Sequence, residues 1–234
     1  MTNVRLFVGA LALSGCGLIS SDVTNFDLDL PSKTFSVDAS GWQVNQTAAD
    51  AFLGTTCDPA QSMPNICTSA VAAACPMNCT GTCDATAHKC DLGLQVAVHQ
   101  AVDLLSEKPE LKTINDQPII HVTIDSLTYQ VTANTLNTAT PEMKVYVAPM
   151  SVMDPNDPLA KQIGTIAAIP AMMTVAETAM VYTPTGKQTL VDTMGDFKNP
   201  FNVIVGTQLD LHMGQMVPSG KLDANVHIKA HAAP

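Results

Sequence analysis

The alternation of apolar and polar residues along several long stretches is the feature that most constrains how this chain can fold. In the stretch 120–125, isoleucine and valine occupy the even positions, while histidine, threonine and aspartate occupy the odd ones. Successive side chains of a β-strand point to opposite faces, so a period of two predicts a strand with one buried face. The same period recurs in the stretches 26–30, 33–39, 92–98, 127–131, 201–213 and 222–228.

These strands indicate a mainly β fold. Three further apolar stretches, 143–148, 163–175 and 179–183, add shorter strands. The parity of the alternation shifts by one residue between Asp125 and Ser126, which predicts a β-bulge there. The sequence has neither strands alternating with helices nor a repeat of fixed period. It therefore predicts an antiparallel β-sandwich of about eight strands.

A single amphipathic helix, Lys187–Phe197, is predicted among the later strands. Its apolar residues recur at the spacing of one helix face, and the helix ends before the Asn199-Pro200 pair. We expect this face to close an end or an edge of the sandwich. The apolar side chains concerned are Leu190, Val191, Met194 and Phe197.

The N-terminus has the layout of an export signal. One cation, Arg5, precedes the apolar run Leu6–Leu13, which is far shorter than the roughly 20 residues needed to span a bilayer. The run ends in Leu13-Ser14-Gly15-Cys16, an aliphatic residue followed by two small residues and a cysteine. This segment resembles the lipobox of bacterial prolipoproteins.

The resemblance implies a membrane anchor on Cys16. In that family the signal peptide, here residues 1–15, is removed, and the cysteine carries diacylglycerol and often a further acyl chain such as palmitate. Two or more chains anchor a protein stably. Gly17 stands where the family's inner-membrane retention signal has Asp, which favours the outer membrane over the inner one. The alternative is an ordinary secretory signal cut near Gly15.

The mature chain is expected to be one acidic domain. Removal of residues 1–15 would leave 219 of the 234 residues, with ten lysines against 21 acidic residues and no arginine. Residues 16–22 would form the lipidated tether, and 23–234 a single sandwich domain. A surface with this charge repels nucleic acid and anionic headgroups, so the sequence excludes a nucleic-acid partner and leaves the lipid as the membrane contact.

The remaining six cysteines lie within 34 residues and form a cysteine-rich insertion, 57–90. An even, tightly grouped set in an exported protein predicts three disulfides, although the spacing leaves 15 pairings open. Zinc is the alternative, with His88 as a further ligand, but the CxxC pairs of structural zinc sites are absent. The insertion has too few large apolar residues to build its own core. Its cysteines are Cys57, Cys67, Cys75, Cys79, Cys83 and Cys90.

Several aspartates and histidines could bind a metal ion, but each could also be an ordinary surface residue. Asp27 and Asp29 share one strand face and could bind calcium, or could simply face solvent. Five histidines have the polar parity of their strands and should face outward, with a metal site or a pH-sensitive patch as the alternative. These are His99, His121, His212, His227 and His231.

The methionines and the single tryptophan are expected to fill the core. Met172, Met173, Met213 and Met216 lie in or beside apolar runs, with a cavity for an apolar ligand or a copper site as the alternative. Trp42 is expected to be a core anchor.

The sequence thus favours a non-enzymatic envelope lipoprotein with a binding or structural role, without a cofactor and with a protein as the possible partner. The alternative is a carrier of a lipid or another apolar ligand, with the helix 187–197 as its lid and a cavity beneath it. A weaker alternative is a hydrolase whose site is assembled from distant strands, because no nucleophile elbow, phosphate loop or metalloprotease motif occurs.

Overall fold

The computed structural model describes residues 26–61, 65–114 and 121–233. Cys16, the predicted lipobox and the predicted tether, residues 16–22, lie outside these ranges. The described chain contains eleven strands and four α-helices, with 3-10 turns over Ala39–Trp42 and Pro109–Ile114. The strands are β1 (Phe26–Asp27), β2 (Lys33–Asp38), β3 (Cys79–Cys83), β4 (Cys90–Val102), β5 (His121–Asn134), β6 (Met143–Pro149), β7 (Lys161–Ile166), β8 (Val175–Ala179), β9 (Val181–Tyr182), β10 (Phe201–Leu211) and β11 (Lys221–Ala233). The helices are α1 (Gln46–Leu53), α2 (Ile66–Ala74), α3 (Leu104–Glu107) and α4 (Gly186–Gly195). None of the described helices is long and apolar enough to cross a membrane.

The strands form two antiparallel sheets, which confirms the predicted mainly β sandwich. Sheet I has the order β1-β11-β5-β8, and β2 also pairs with β11. Sheet II has the order β3-β4-β10-β6-β7-β9. The segment between β1 and β2 stays attached to β11, because the N–H groups of Leu28 and Leu30 donate to the carbonyls of Ala230 and Ile228 at 2.8 and 3.2 Å. The N-terminal strands thus complete one edge of sheet I.

The alternation seen in the sequence decides which faces are buried. Along β11 every even position from Leu222 to Ala232 is buried, while the odd positions are exposed or half-buried. Sheet I packs its apolar face against that of sheet II, where Val145, Val203 and Val205 are buried. The predicted bulge is also present, since Ser126 pairs with Lys229 and Ile124 pairs with Ala230, leaving Asp125 as the extra residue.

The outer face of sheet II carries a second, smaller core that the sequence did not predict. The loop after β6 folds back over β10, and Val152 packs there with Ala148 and Ile204. Gly206 permits this approach, because a Cβ at that position would lie 2.7 Å from the Cγ of Pro155. The first half of β10 is therefore buried on both faces.

The helices differ from the sequence prediction in extent and number. Helix α4 begins at Gly186 and ends at Gly195, so Phe197 lies beyond its last turn. Helix α1 was not predicted. Helix α2 lies in the insertion, and its N-cap is Asn65, whose Oδ1 accepts from the N–H of Thr68 at 3.0 Å.

The two ends of the sandwich have different contents. At one end, here called the N-terminal end, Phe26 pairs with Ala232 near the last residue of β11. The other end, here called the cysteine end, contains the loop 212–220 between β10 and β11 and the β3–β4 hairpin, because Leu211 pairs with Leu92. The 13 residues of β11 separate the two ends by roughly 40 Å at 3.3 Å per residue.

Candidate functional site

Three disulfides join the six cysteines of the insertion, as the sequence predicted. Their Cα–Cα distances of 5.9, 5.4 and 6.1 Å lie in the usual range for disulfides. The pairs are Cys57–Cys83, Cys67–Cys90 and Cys75–Cys79. The sulfurs of Cys57, Cys67 and Cys90 lie within 4.8 Å of one another because two of the bridges are neighbours. A bridged sulfur is not a thiolate and is not available as a zinc ligand.

The insertion is packed directly on the sandwich rather than on a core of its own. Helix α2 approaches β3 so closely that a Cβ on Gly81 would lie 2.3 Å from the carbonyl oxygen of Cys67. Phe52 and Leu53 of α1 are buried and supply the large apolar side chains that the insertion lacks. The Cys67–Cys90 disulfide therefore fixes the β3–β4 hairpin to α2, and Cys57–Cys83 fixes it to the segment that follows α1.

Two carboxylates at the turn of this hairpin meet a histidine that directly follows β10. Asp84 directly follows Cys83, and Asp91 directly follows Cys90. Cys83 and Cys90 lie opposite each other on the neighbouring strands β3 and β4. The Nδ1 atom of His212 lies 2.8 Å from Oδ1 of Asp91. One ligand atom from each of Asp84, Asp91 and His212 lies within 4.8 Å of the others.

Hydrogen bonds shift the pKa values of two members of this cluster in opposite directions. The hydrogen bond to Asp91 raises the pKa of His212, and the negative charges of Asp91, Asp210 and Asp84 add to that effect against the opposing effect of burial. The backbone N–H groups of Ala87 and Thr86 lower the pKa of Asp84. Among the described residues, no lysine forms an ion pair with Asp84 or Asp91. The cluster is therefore a site of excess negative charge.

Exposed methionines surround the same end of the molecule. Met213 and Met216 of the loop 212–220 are 60% and 70% exposed, and Met172 and Met173 are 64% and 54% exposed. The loops are adjacent, because Leu136 accepts from the N–H of Met172 and its neighbour Asn137 donates to the carbonyl of Val217, both at 3.1 Å. The prediction that these four methionines fill the core is wrong. They lie in turns beyond the strand ends, where the period of the strands no longer determines burial.

Two of the other predicted histidines, His227 and His231, lie on the outer face of sheet I beside carboxylates. His227 lies 2.6 Å from Asp29 through Nε2, and His231 lies 3.0 Å from Asp125 through Nδ1. His99 and His121 are exposed as expected, and His227 is half-buried. Asp29 is held by His227, and the N–H of Asp29 donates to Asp27 at 3.0 Å. Within the described ranges, none of these groups belongs to a three-ligand cluster.

The four side chains predicted to form a lid are packed into the fold. Leu190, Met194 and Phe197 are buried, and Val191 is half-buried. Helix α4 lies against β5, β6 and β7. Of the described cavities, those within the sandwich have volumes of only about 20 and 30 Å³, whereas small-molecule sites measure roughly 300–1,000 Å³. A carrier function would require the helix and sheets to separate.

A wide surface cleft of about 670 Å³ lies beside the free edge of β4 and includes Trp42 and the turn 153–156. The Trp42 side chain is only 8% exposed, as expected of a core anchor, and its Nε1 donates to the carbonyl of Gln95 at 2.9 Å. This hydrogen bond uses a carbonyl at the edge of β4, next to Leu94, the last residue of β4 that pairs with β3. The cleft is open to solvent and contains no cluster of ionisable ligands among the described residues.

No family model matches the chain, and no curated protein matches it. Two solved structures align over the whole chain. A cryo-EM structure of Mud crab tombus-like virus aligns with 11% identity over 92% of its chain at a TM-score of 0.30. A cryo-EM structure of a semi-empty VLP of the giant freshwater prawn Macrobrachium rosenbergii nodavirus aligns with 14% identity over 95% of its chain at a TM-score of 0.25. Both scores are too low to indicate a shared fold.

Sequence reasoning missed the cluster of Asp84, Asp91 and His212. It placed His212 on an outward face but gave it no partner, because strand order and register decide which carboxylate lies opposite. The one available signal was that Asp84 and Asp91 each follow a cysteine of the same hairpin.

Proposed function

We propose that this chain is a lipid-anchored protein of the bacterial envelope that uses its cysteine end as a non-enzymatic binding surface. The lipobox at Cys16 supports the anchor, and the three disulfides support a location outside the reducing cytosol. The main support for a binding surface is the position of the disulfide-bonded insertion, which lies at the end of the sandwich opposite Phe26.

This position follows from the path of the chain. Nine residues lie between Cys16 and Phe26, and the ten steps from one to the other span at most about 33–36 Å. The domain joins the tether at its N-terminal end, so the cysteine end lies roughly 40 Å from the point of attachment. An anchor of this kind presents the disulfides and the exposed methionines to the surroundings of the membrane.

The surface chemistry of the cysteine end favours a protein partner. Methionine side chains are flexible and polarisable, and they adapt to the shapes of different apolar surfaces. Bridged loops lose little conformational entropy on binding, because the disulfides have already restricted them. The net negative charge of the chain further favours a partner that is neutral or basic. The carrier alternative has less support, since the cavities within the sandwich are about 20 and 30 Å³.

Membrane anchoring is tested by expressing the full chain in a bacterium and measuring the intact mass of the membrane-extracted protein. We expect an N-terminus at Cys16 that carries acyl mass, and six thiols that react with an alkylating agent only after reduction. Cys16→Ser should move the protein to the soluble fraction, whereas the matched double substitution Cys75→Ser/Cys79→Ser should leave it on the membrane. A Cys16→Ser protein that stays on the membrane would contradict the anchor.

The binding surface is tested separately with a photo-reactive amino acid at Met216 and, as a control, at Thr123. Both side chains are exposed, but Thr123 lies near the N-terminal end, opposite His231. A protein adduct that forms in the envelope from Met216 and not from Thr123 supports binding at the cysteine end. Equal adducts from both positions, or none from Met216, would contradict it.

A further inference from the structure

We propose that Asp84, Asp91 and His212 bind one divalent first-row transition-metal ion, with Zn²⁺ as the probe of choice. The three side chains come from a hairpin and from the end of a different strand, and the fold brings one ligand atom of each within 4.8 Å of the others. The site would be a property of the folded chain whether or not the proposed anchor is correct.

The donor atoms suit such an ion. Zinc binds imidazole nitrogen and carboxylate oxygen at about 2.0–2.2 Å, so donors around a tetrahedral ion lie roughly 3.4 Å apart. The Nδ1 atom of His212 and Oδ1 of Asp91 are 2.8 Å apart, closer than this. The Asp84 ligand atom lies within 4.8 Å of the other two, so it would have to approach them by up to roughly 1.4 Å. Three protein donors would leave the remaining coordination positions to water.

One oxygen of each carboxylate is free to serve as a ligand. Both backbone donors to Asp84, the N–H groups of Thr86 and Ala87, bind Oδ1 at 2.6 and 3.0 Å. Asp91 contacts His212 through Oδ1. Within the described part of the chain, Oδ2 of either residue has no hydrogen-bond donor at these sites. A metal ion could therefore bind without breaking the bonds that hold the hairpin turn.

The disulfides hold the two carboxylates in place before any ion arrives. Cys83 and Cys90, the residues immediately before Asp84 and Asp91, are bridged to Cys57 and Cys67. Ligands held on a rigid backbone bind a metal with a smaller loss of entropy than ligands on a mobile loop. The bridges therefore stabilise the spacing of the ligands as well as the fold of the insertion.

The charge balance and the histidine identify the class of ion. Two aspartates lie together without a lysine partner in the described chain, and Asp210 adds a third negative charge nearby. A divalent cation would relieve this repulsion more fully than a proton on His212. Imidazole is a ligand for zinc, copper, iron and nickel, whereas Ca²⁺ and Mg²⁺ prefer oxygen donors alone.

The test is isothermal titration calorimetry of the full, disulfide-intact chain, without a histidine tag and stripped of metal with EDTA. Titration with ZnCl2 should show one tight site per chain, and CaCl2 under the same conditions should show none. His212→Ala and Asp91→Asn should each weaken Zn²⁺ binding at least about tenfold. The control is His231→Ala, which removes a histidine from a His–Asp pair on the outer face of sheet I and should bind as the wild type does.

A second measurement separates loss of the site from loss of the fold. Co²⁺ should give the visible absorption of a bound ion with nitrogen and oxygen ligands, and His212→Ala should abolish it while its thermal midpoint stays that of the wild type. Zn²⁺ binding that survives both His212→Ala and Asp91→Asn, or that is lost in His231→Ala, would overturn the proposal. Absence of tight binding in the wild type would equally overturn it and would leave a simple His212–Asp91 ion pair.

Discussion

At the scale of single residues, a few polar side chains determine how the loops attach to the sandwich. Asn202 is 1% exposed on β10, and its Nδ2 donates to the carbonyls of Met150 and Val152 at 3.1 and 2.9 Å. The bond to the Val152 carbonyl is buried and the bond to the Met150 carbonyl is partly buried, so Asn202 supplies donors to loop carbonyls with reduced access to water. Asn202 has the polar parity of its strand, between Phe201 and Val203, so the alternation alone indicates an outward-facing side chain rather than an attachment point for a loop.

We expect Asn202→Ala to lower the free energy of unfolding by about 2–3 kcal/mol, because buried carbonyls are left without donors. The matched control is Asn199→Ala, which removes an exposed amide bonded to Asp196 at 2.8 Å and should change stability by less than about 0.5 kcal/mol. Urea denaturation of each purified variant measures both values. Equal stability of the two variants would contradict the role assigned to Asn202.

The ion pair of Asp38 with Lys221 makes stability depend on pH in the acid range. The hydrogen bond from Lys221, at 2.7 Å, and those from Ser40 lower the pKa of Asp38 from 3.8 to about 2. A pKa lowered by folding contributes stability above its ordinary value and loses it as the pH falls towards the folded value. We therefore expect Lys221→Ala to flatten the loss of stability between about pH 4 and pH 2.

Urea denaturation across that pH range measures the slope for the wild type and for Lys221→Ala. Lys187→Ala is the matched control, because Lys187 is exposed and has no ion pair in the described chain. An unchanged slope in Lys221→Ala would show that Asp38 does not titrate with the fold.

At the scale of elements, the sequence predicted the strands better than the helices. Most strands could be predicted from the alternation of apolar and polar residues, although β3 of the insertion could not, and the bulge at Asp125 could be located from a shift in parity. Helix α1 was missed because its three buried residues, Ala49, Phe52 and Leu53, form too short a pattern. The cluster of Asp84, Asp91 and His212 depends on strand register, and a sequence does not specify which strands are neighbours.

Close packing of α2 on β3 depends on the absence of a side chain at Gly81. A Cβ there would lie 2.3 Å from the Cys67 carbonyl oxygen, so Gly81→Ala should force the helix away and cost about 1–3 kcal/mol. Gly41→Ala is the control, because a Cβ at Gly41 would meet nothing within 4 Å. Thermal unfolding followed by circular dichroism compares the two variants, and a wild-type midpoint for Gly81→Ala would contradict this packing.

The disulfides should contribute different amounts to the free energy of unfolding, according to the length of the loop that each one closes. Cys57–Cys83 joins residues 26 apart in sequence, whereas Cys75–Cys79 joins residues four apart. In the chain-entropy description the longer loop contributes about 1.5 kcal/mol more. We expect Cys57→Ala/Cys83→Ala to destabilise the protein by that much more than Cys75→Ala/Cys79→Ala in urea denaturation without reductant. The reverse order would indicate that packing, rather than loop entropy, determines the effect.

At the scale of the whole molecule, the chain combines a sandwich held by long strands with an insertion held by bridges. β10 and β11 pair with strands on both sides, and the described strands beside them carry most of the buried apolar residues. Helix α2 and β3, by contrast, contain few large buried side chains and lie between bridged cysteines. This difference in composition was already visible in the sequence, where the cysteines replace large apolar residues.

Reduction of the disulfides should therefore loosen one part of the molecule and spare the other. With dithiothreitol present, we expect hydrogen exchange to rise at the backbone amides of α2 and β3, because local opening there exposes little apolar surface. The amides of β5, β10 and β11 should keep their protection, since their pairing and burial do not involve the bridges. Hydrogen–deuterium exchange read by mass spectrometry, with and without reductant, makes the comparison within one protein. A uniform rise over all strands would mean that the bridges support the whole sandwich, and the cysteine end could then not be treated as a separate stapled surface.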